Sequence, residues 1–160
     1  MFEFFEAIEN SWLISSISGS NLLYGTFTAM HYFTLFILTG TAVAFDLHLL
    51  GFVAKKQTTA DFADEVFPWI WTAMGFALFS GFTLFLTGAG EFYSAPSMQR
   101  KILVVLVAIA CTVFIQRGAQ RWGKESSLPV SAKLSAVVSI VLWIWGILEG
   151  NNVAALCGLG

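Results

Sequence analysis

The chain has 160 residues, of which 57% are hydrophobic and only 11% are charged, with a formal net charge of −2 and a mean hydropathy of +0.76. Soluble domains carry about a quarter charged residues, so this composition excludes an ordinary soluble domain and predicts an integral membrane protein. The length allows one compact unit, a single transmembrane domain over residues 1–160. The small net charge gives no sign of a nucleic-acid partner.

The N-terminal segment lacks the basic region that opens a cleavable signal peptide, so we expect it to remain on the mature protein. Phe2, Phe5, Ile8 and Trp12 recur at helical spacing. This pattern is compatible with a short amphipathic helix over residues 2–13 that lies at the membrane interface, although it lacks the basic face of many such helices.

Four apolar stretches follow, separated by the main clusters of charge. A membrane-spanning helix needs about 20 apolar residues, and about 17 is the lower limit. The predicted spans cover about residues 22–53, 66–88, 101–117 and 133–149. Because the connecting loops are short, neighbouring helices should run antiparallel. We therefore predict an all-α fold, an integral membrane four-helix antiparallel bundle in contact with the lipid bilayer.

The lysines and arginines predict the orientation of this bundle. Two basic residues, Arg100 and Lys101, lie in the second loop, and none lies at either terminus. Six lie in the first and third loops: Lys55, Lys56, Arg117, Arg121, Lys124 and Lys133. Since basic loops stay in the cytoplasm, we predict a multi-pass protein of the bacterial inner membrane with periplasmic N- and C-termini.

The first span contains His31, the residue that we single out as a metal ligand. Ionisable residues inside a span are costly and therefore informative, and neutral imidazole is a common ligand of haem iron. Thr28 and Thr34 share the face of His31, which is otherwise apolar. This face suits a haem b and equally suits a buried hydrogen bond from His31 to a carbonyl or carboxylate of a neighbouring helix.

A second histidine, His48, lies near the end of the same span. It is seventeen residues beyond His31, which corresponds to about 25 Å along a helix. One chain therefore cannot place both histidines on one haem. Two-histidine ligation would require a homo-oligomer in which two protomers each contribute His31. The alternatives are a five-coordinate haem, or one whose second ligand is Met30, Met74 or Lys101.

Asp46 lies close to His48 in sequence but about 200° away around the helix, so the two do not form a dyad. Asp46 is a candidate functional carboxylate. The structural alternative, which we favour, is a hydrogen bond or ion pair that locks the first helix to its surroundings. The expected partners are Lys55, Lys56, a residue of the third loop, or the indole N–H of Trp69 or Trp71.

A third group of ionisable residues gathers at the opposite end of the bundle. Glu149 closes the fourth span, and Arg100 and Lys101 open the third. The simplest expectation is an ion pair between Lys101 and Glu149. The alternative is a polar pocket in which Arg100 and Lys101 bind haem propionates.

The order of these features resembles an uncharacterised bacterial family of short four-helix membrane proteins. The resemblance covers about residues 22–115, and its most specific element is Asp-Leu-His-Leu-Leu-Gly at 46–51, with His48 where the family usually has arginine. Its other elements are His31, Gly40-Thr41, Pro68-Trp69, Thr87-Gly88 and Lys101. The layout is also reminiscent of membrane cytochromes b and copper-resistance membrane proteins. The resemblance implies the fold and brings no established activity.

Three functions are compatible with these residues, and no catalytic residue is evident. The first is a haem b protein that transfers electrons between a quinol and a membrane or periplasmic redox partner. The second is a transport module for protons or a copper-like metal ion, with a polar path through His31, Asp46, His48 and Glu149. The third is a non-catalytic accessory subunit of a larger membrane complex.

Overall fold

The computed structural model describes residues 7–123 and 128–156, which fold into helices without a β-strand among them. Two short helices are α1 (Trp12–Ser18) and α4 (Ala89–Ser94). The long helices are α2 (Asn21–Leu49), α3 (Thr59–Leu86), α5 (Pro96–Trp122) and α6 (Val130–Leu156). All four long helices contain a stretch long and apolar enough to cross a membrane, which fits a multi-pass membrane protein.

The long helices form an antiparallel bundle, as predicted. Helix α2 packs against α3 and α6, and α5 packs against the same two helices, so the four form a closed ring. His31 contacts Gly81 near one end of the α2–α3 pair, and Phe45 contacts Phe67 near the other with ring centroids 5.0 Å apart. Helices α2 and α3 are therefore antiparallel.

Small residues bring the second pair of long helices together. Four alanines of α5 and α6 are almost completely buried: Ala108, Ala119, Ala132 and Ala136. Small side chains at helix contacts allow close backbone approach, which is how helices associate when lipid offers no hydrophobic driving force. Larger buried side chains come from α2, chiefly Leu38, Phe45 and Leu49.

The helix that contains the second predicted span begins seven residues before the predicted start of that span. Helix α3 begins at Thr59, because the Thr58 hydroxyl accepts a hydrogen bond of 3.2 Å from the Asp61 N–H and caps the helix. The first turns of α3 are polar, so hydropathy did not reveal them. Pro68 consequently lies inside α3.

The helix that contains the first predicted span ends four residues before the predicted end of that span. Helix α2 ends at Leu49, and Gly51 follows with a φ of +82°, a left-handed conformation that glycine adopts without strain. The N–H of Phe52 donates to the Leu47 carbonyl at 2.9 Å, and that of Gly51 donates to the His48 carbonyl at 2.9 Å. These two bonds form a Schellman motif, which explains the glycine that closes the Asp-Leu-His-Leu-Leu-Gly segment.

The N-terminal region differs from the single interfacial helix predicted over residues 2–13. Residues 7–9 are helical, the chain turns at Asn10 and Ser11, and α1 then begins at Trp12. Extended backbone at Ser11 (ψ 147°) separates the two helical pieces. Residues 2–6 lie outside the described part of the chain.

Candidate functional site

His31 lies in the contact between α2 and α3 and its ring packs directly on Gly81. A Cβ atom built on Gly81 would stand 2.8 Å from Cε1 of His31, which is closer than real Cβ contacts. The absence of a side chain at Gly81 therefore makes the space that the imidazole ring occupies. His31 itself is half-buried.

The hydrogen bonds of His31 determine which ring nitrogen carries the proton. Its Nδ1 lies 3.1 Å from the Ala77 carbonyl and 3.1 Å from the Ser80 hydroxyl oxygen. A carbonyl can only accept, and the Ser80 hydroxyl already donates its hydrogen to the Phe76 carbonyl at 2.7 Å. Nδ1 is therefore the N–H donor to both, and Nε2 of the neutral ring keeps its lone pair. A ligating histidine is typically held in this way, by a carbonyl that binds its other ring nitrogen.

Lys101 lies at the same end of the bundle as His31. It is close enough to His31 to act on it electrostatically, and its Nζ stands 3.7 Å from the position that a Cβ on Gly150 would take. Lys101, on α5, therefore places a positive charge at the end of the bundle where His31 lies.

The ion pair at this end of the bundle is not the one we expected. Glu149 pairs with Arg100, whose Nε donates to Oε1 at 3.2 Å and whose Nη2 donates to Oε2 at 3.4 Å. Trp145 and Asn152 donate to the same carboxylate at 3.2 and 3.3 Å. Arg100 is half exposed, so its long side chain can reach across from α5 to α6. Glu149 is thus held by donors from three residues, and Arg100 supplies two of them.

Thr28 and Thr34 do not offer hydroxyl hydrogens to a ligand. The Thr28 hydroxyl donates to the Tyr24 carbonyl at 2.9 Å, and the Thr34 hydroxyl donates to the Met30 carbonyl at 2.8 Å. Such bonds to the preceding turn are the usual way in which a membrane helix accommodates threonine. The two residues therefore share the face of His31, as predicted, with their donors already used.

His48 lies at the far end of α2 and has a local partner. Its Nδ1 is 3.2 Å from the Val53 carbonyl, and its ring lies among Phe45 and Phe62 with centroids 6.1 and 4.8 Å away. The ring is buried. These contacts fix the turn that follows α2, so the geometry favours a structural role for His48 over a place in a polar path.

Asp46 is buried among the long helices, with only 2% of its surface exposed. Neither of the two expected indole donors is its partner. Trp71 donates to Gln116 at 2.9 Å and Trp69 is exposed, whereas Ser139 on α6 lies beside the Asp46 carboxyl. Asp46 instead faces inward, because the α2 register that buries Leu49 and Phe45 also turns Asp46 toward α6.

Several residues of these sites were not found from the sequence. Ser80 and Ala77 hold the His31 ring, and Ser139 and Thr112 surround Asp46. A signal was present, since Ala132, Ala136 and Ser139 recur at helical spacing on one face of the fourth span. Small and hydroxyl residues are too common in membrane helices for that pattern to identify a partner.

These observations define a class, an all-helical bundle of membrane-spanning type with one histidine oriented by a neighbouring helix. The chain belongs to the family described as Family of unknown function (DUF6644), which matches residues 4–154. No curated protein and no solved structure matches the chain. The family match confirms membership of an uncharacterised family, and it brings no link to cytochromes b or copper-resistance proteins.

Proposed function

We propose that the protein binds haem b through Nε2 of His31. The observation that carries this proposal is the pair of acceptors on Nδ1, the Ala77 carbonyl and the Ser80 hydroxyl. They fix the tautomer in which Nε2 has a free lone pair, and they fix the plane of the ring. The donor set thus fits one axial position of a haem iron, since proximal histidines ligate in this way.

Lys101 is the cation that we assign to a haem propionate. It carries a positive charge to the same end of the bundle as His31. A transport path for a metal ion has less support, because the described residues contain no group of three or more His, Cys, Asp or Glu side chains that could hold one.

A second protomer supplies the other axial histidine in this proposal. His48 is about 25 Å from His31 along α2, and Met74 is buried in the core with 3% exposure. Met30 precedes His31 on the same helix and cannot reach the opposite side of the iron. In a homo-oligomer, the His31 residues of two copies would hold the haem together.

Haem b at this position would supply one-electron transfer between a quinol and a membrane or periplasmic redox protein. The distribution of lysine and arginine supports a location in the bacterial inner membrane with both termini in the periplasm. His31 would then lie in the outer half of the membrane, on the side of a periplasmic partner.

The proposal is tested by the absorption spectra of detergent-purified variants expressed in haem-replete cells. His31→Ala should lose the Soret band and the reduced α-band, and His48→Ala should retain both. Ser80→Ala keeps the Ala77 acceptor, so it should weaken haem binding by about tenfold or less. Circular dichroism and elution volume verify that each variant is folded. Equal loss of haem in folded His31→Ala and His48→Ala would contradict the assignment of His31 as the ligand.

A further inference from the structure

Asp46 is a buried carboxyl group that the proposed haem site does not use. It lies fifteen residues from His31, about 22 Å along α2. Only 2% of its surface is exposed, and its Oδ2 atom has no hydrogen-bond partner among the described residues. Buried polar atoms in folded proteins nearly always have a partner, and one that lacks it marks a bound water, a proton or another ligand.

The carboxyl group of Asp46 faces a small cavity at the centre of the four long helices. Its volume is about 10 Å³, the space that one water molecule needs. The polar residues of its lining are Asp46 itself, Thr112 on α5 and Ser139 on α6. The remaining lining is apolar and comes from α2, α3 and α5: Ala42, Phe45, Phe67, Ile70 and Ile115.

Among the described residues, no cation lines this cavity to neutralise a carboxylate. From α3 it is faced by Phe67 and Ile70, and from α6 by Ser139. From α5 the titratable neighbour is the thiol of Cys111, which also lies near enough to interact electrostatically. His48, on α2 itself, is directed to the Val53 carbonyl. An unpaired buried charge is strongly destabilising, so the carboxylate requires a proton or a metal ion as its counterpart.

The number of oxygen atoms that line the cavity distinguishes a bound proton from a bound metal ion. The Thr112 hydroxyl donates to the Ala108 carbonyl at 2.9 Å, so it offers only a lone pair to the cavity. Calcium and magnesium, which bind through oxygen, take six or more ligands. The oxygen-bearing side chains that line this cavity are only those of Asp46, Thr112 and Ser139, and the other five lining residues are apolar. A proton and one water need no larger shell.

We propose that Asp46 is an internal proton-binding site, in which the protonated carboxyl group shares the cavity with one water molecule held by Thr112 and Ser139. The carboxylate takes the proton from solvent, and the O–H formed donates to the water. The site is separate from the His31 site, so it does not rest on haem binding.

Two further orphaned atoms lie on the same pair of helices. Thr39 Oγ1 on α2 and Trp143 Nε1 on α6 are buried and have no partner among the described residues. Thr39 is exceptional, because the other described threonines of α2 donate to carbonyls of the preceding turn: Thr26, Thr28, Thr34 and Thr41. Thr39 is two turns from Asp46, about 10 Å toward the His31 end, and Trp143 is one turn from Ser139. The contact between α2 and α6 therefore contains further buried polar atoms beyond Asp46 and Ser139.

The test is infrared spectroscopy of the purified protein in water and in heavy water. The wild type should show the carbonyl stretch of a protonated carboxylic acid, downshifted in heavy water, and Asp46→Asn should lack it. Ser139→Ala and Thr112→Val should move the band, since each removes a hydrogen-bonding neighbour of the carboxyl or its water. Thr41→Val is the matched control, because the Thr41 hydroxyl bonds only to its own helix, and the band should not move.

Identical spectra for wild type and Asp46→Asn in this region would overturn the proposal. Loss of the band on addition of sodium or another metal ion would also overturn it, because the occupant would then be a metal. If Asp46→Asn does not fold, Ser139→Ala and Thr112→Val decide the matter, and a band that neither variant moves contradicts the assignment. None of these infrared measurements depends on haem content. A negative result here would therefore not contradict the haem proposal, and the absence of haem would not contradict this one.

Discussion

His31 and Gly81 fit together so closely that a single added methyl group would collide with the ring. A Cβ at Gly81 would lie 2.8 Å from Cε1, 3.3 Å from Nδ1 and 3.7 Å from Nε2 of His31. Glycine at this position therefore determines where the imidazole ring lies, and with it the direction of the proposed ligand atom.

We predict that Gly81→Ala displaces the His31 ring and lowers both haem content and stability. Overpacking of this kind costs about 1–3 kcal/mol. Gly75→Ala on the same helix is the matched control, because a Cβ there meets nothing within 4 Å. Thermal unfolding and haem-to-chain ratio measure the two effects. Equal behaviour of the two variants would show that the close contact does not constrain His31.

Lys101 and Arg100 are adjacent in sequence, and we predict different consequences when each is lost. Lys101→Ala should weaken haem binding, since it removes the cation that we assign to a propionate. Arg100→Ala should lower the thermal midpoint, since it removes the partner of Glu149, and should leave haem binding nearly unchanged. Titration of apoprotein with haem and thermal unfolding separate the two. The reverse pattern would assign the propionate to Arg100.

Gly51 allows a backbone conformation that other residues adopt only with strain. Its φ is +82° in the Schellman motif that closes α2. We predict that Gly51→Ala lowers the free energy of unfolding by about 1 kcal/mol. Gly40→Ala, in the interior of α2 with open space around it, should not destabilise the protein. Unfolding in denaturing detergent compares the two variants, and an equal loss would indicate that the turn is not constrained.

The pair of Trp71 and Gln116 connects α3 to α5 on the side away from His31. The indole N–H donates to the Gln116 side-chain oxygen at 2.9 Å in a half-buried position. We predict that Trp71→Phe and Gln116→Leu each destabilise the protein by about 1 kcal/mol, and that the double variant loses less than the sum. A double-mutant cycle of unfolding free energies measures this coupling. Strict additivity would mean that the bond contributes nothing.

The sequence predicted the number, order and antiparallel arrangement of the long helices, because apolar length and short loops determine them. It did not predict the polar first turns of α3, which a threonine cap specifies, or the early end of α2, which Gly51 specifies. Helix ends depend on a few capping atoms, and hydropathy does not register those.

The sequence also identified His31 and Asp46 as unusual residues but not their partners. His31 binds a backbone carbonyl of α3, and any residue has such a carbonyl. The pairing of Arg100, and not Lys101, with Glu149 depends on the rotation of α5, since neighbouring residues on a helix point about 100° apart. The rotation of each helix about its axis therefore determines which side chains become partners. The spans are almost uniformly apolar, so the spacing of their apolar residues does not reveal this rotation.

The measurement that tests the central claim most directly is a pyridine haemochrome assay on wild-type protein, with spectra recorded after oxidation and after reduction by dithionite. Our account predicts a sharp reduced α-band of b-type haem and about one haem for every two chains, since each protomer provides one axial histidine. A colourless protein purified from haem-replete cells would contradict the assignment of His31 as a haem ligand.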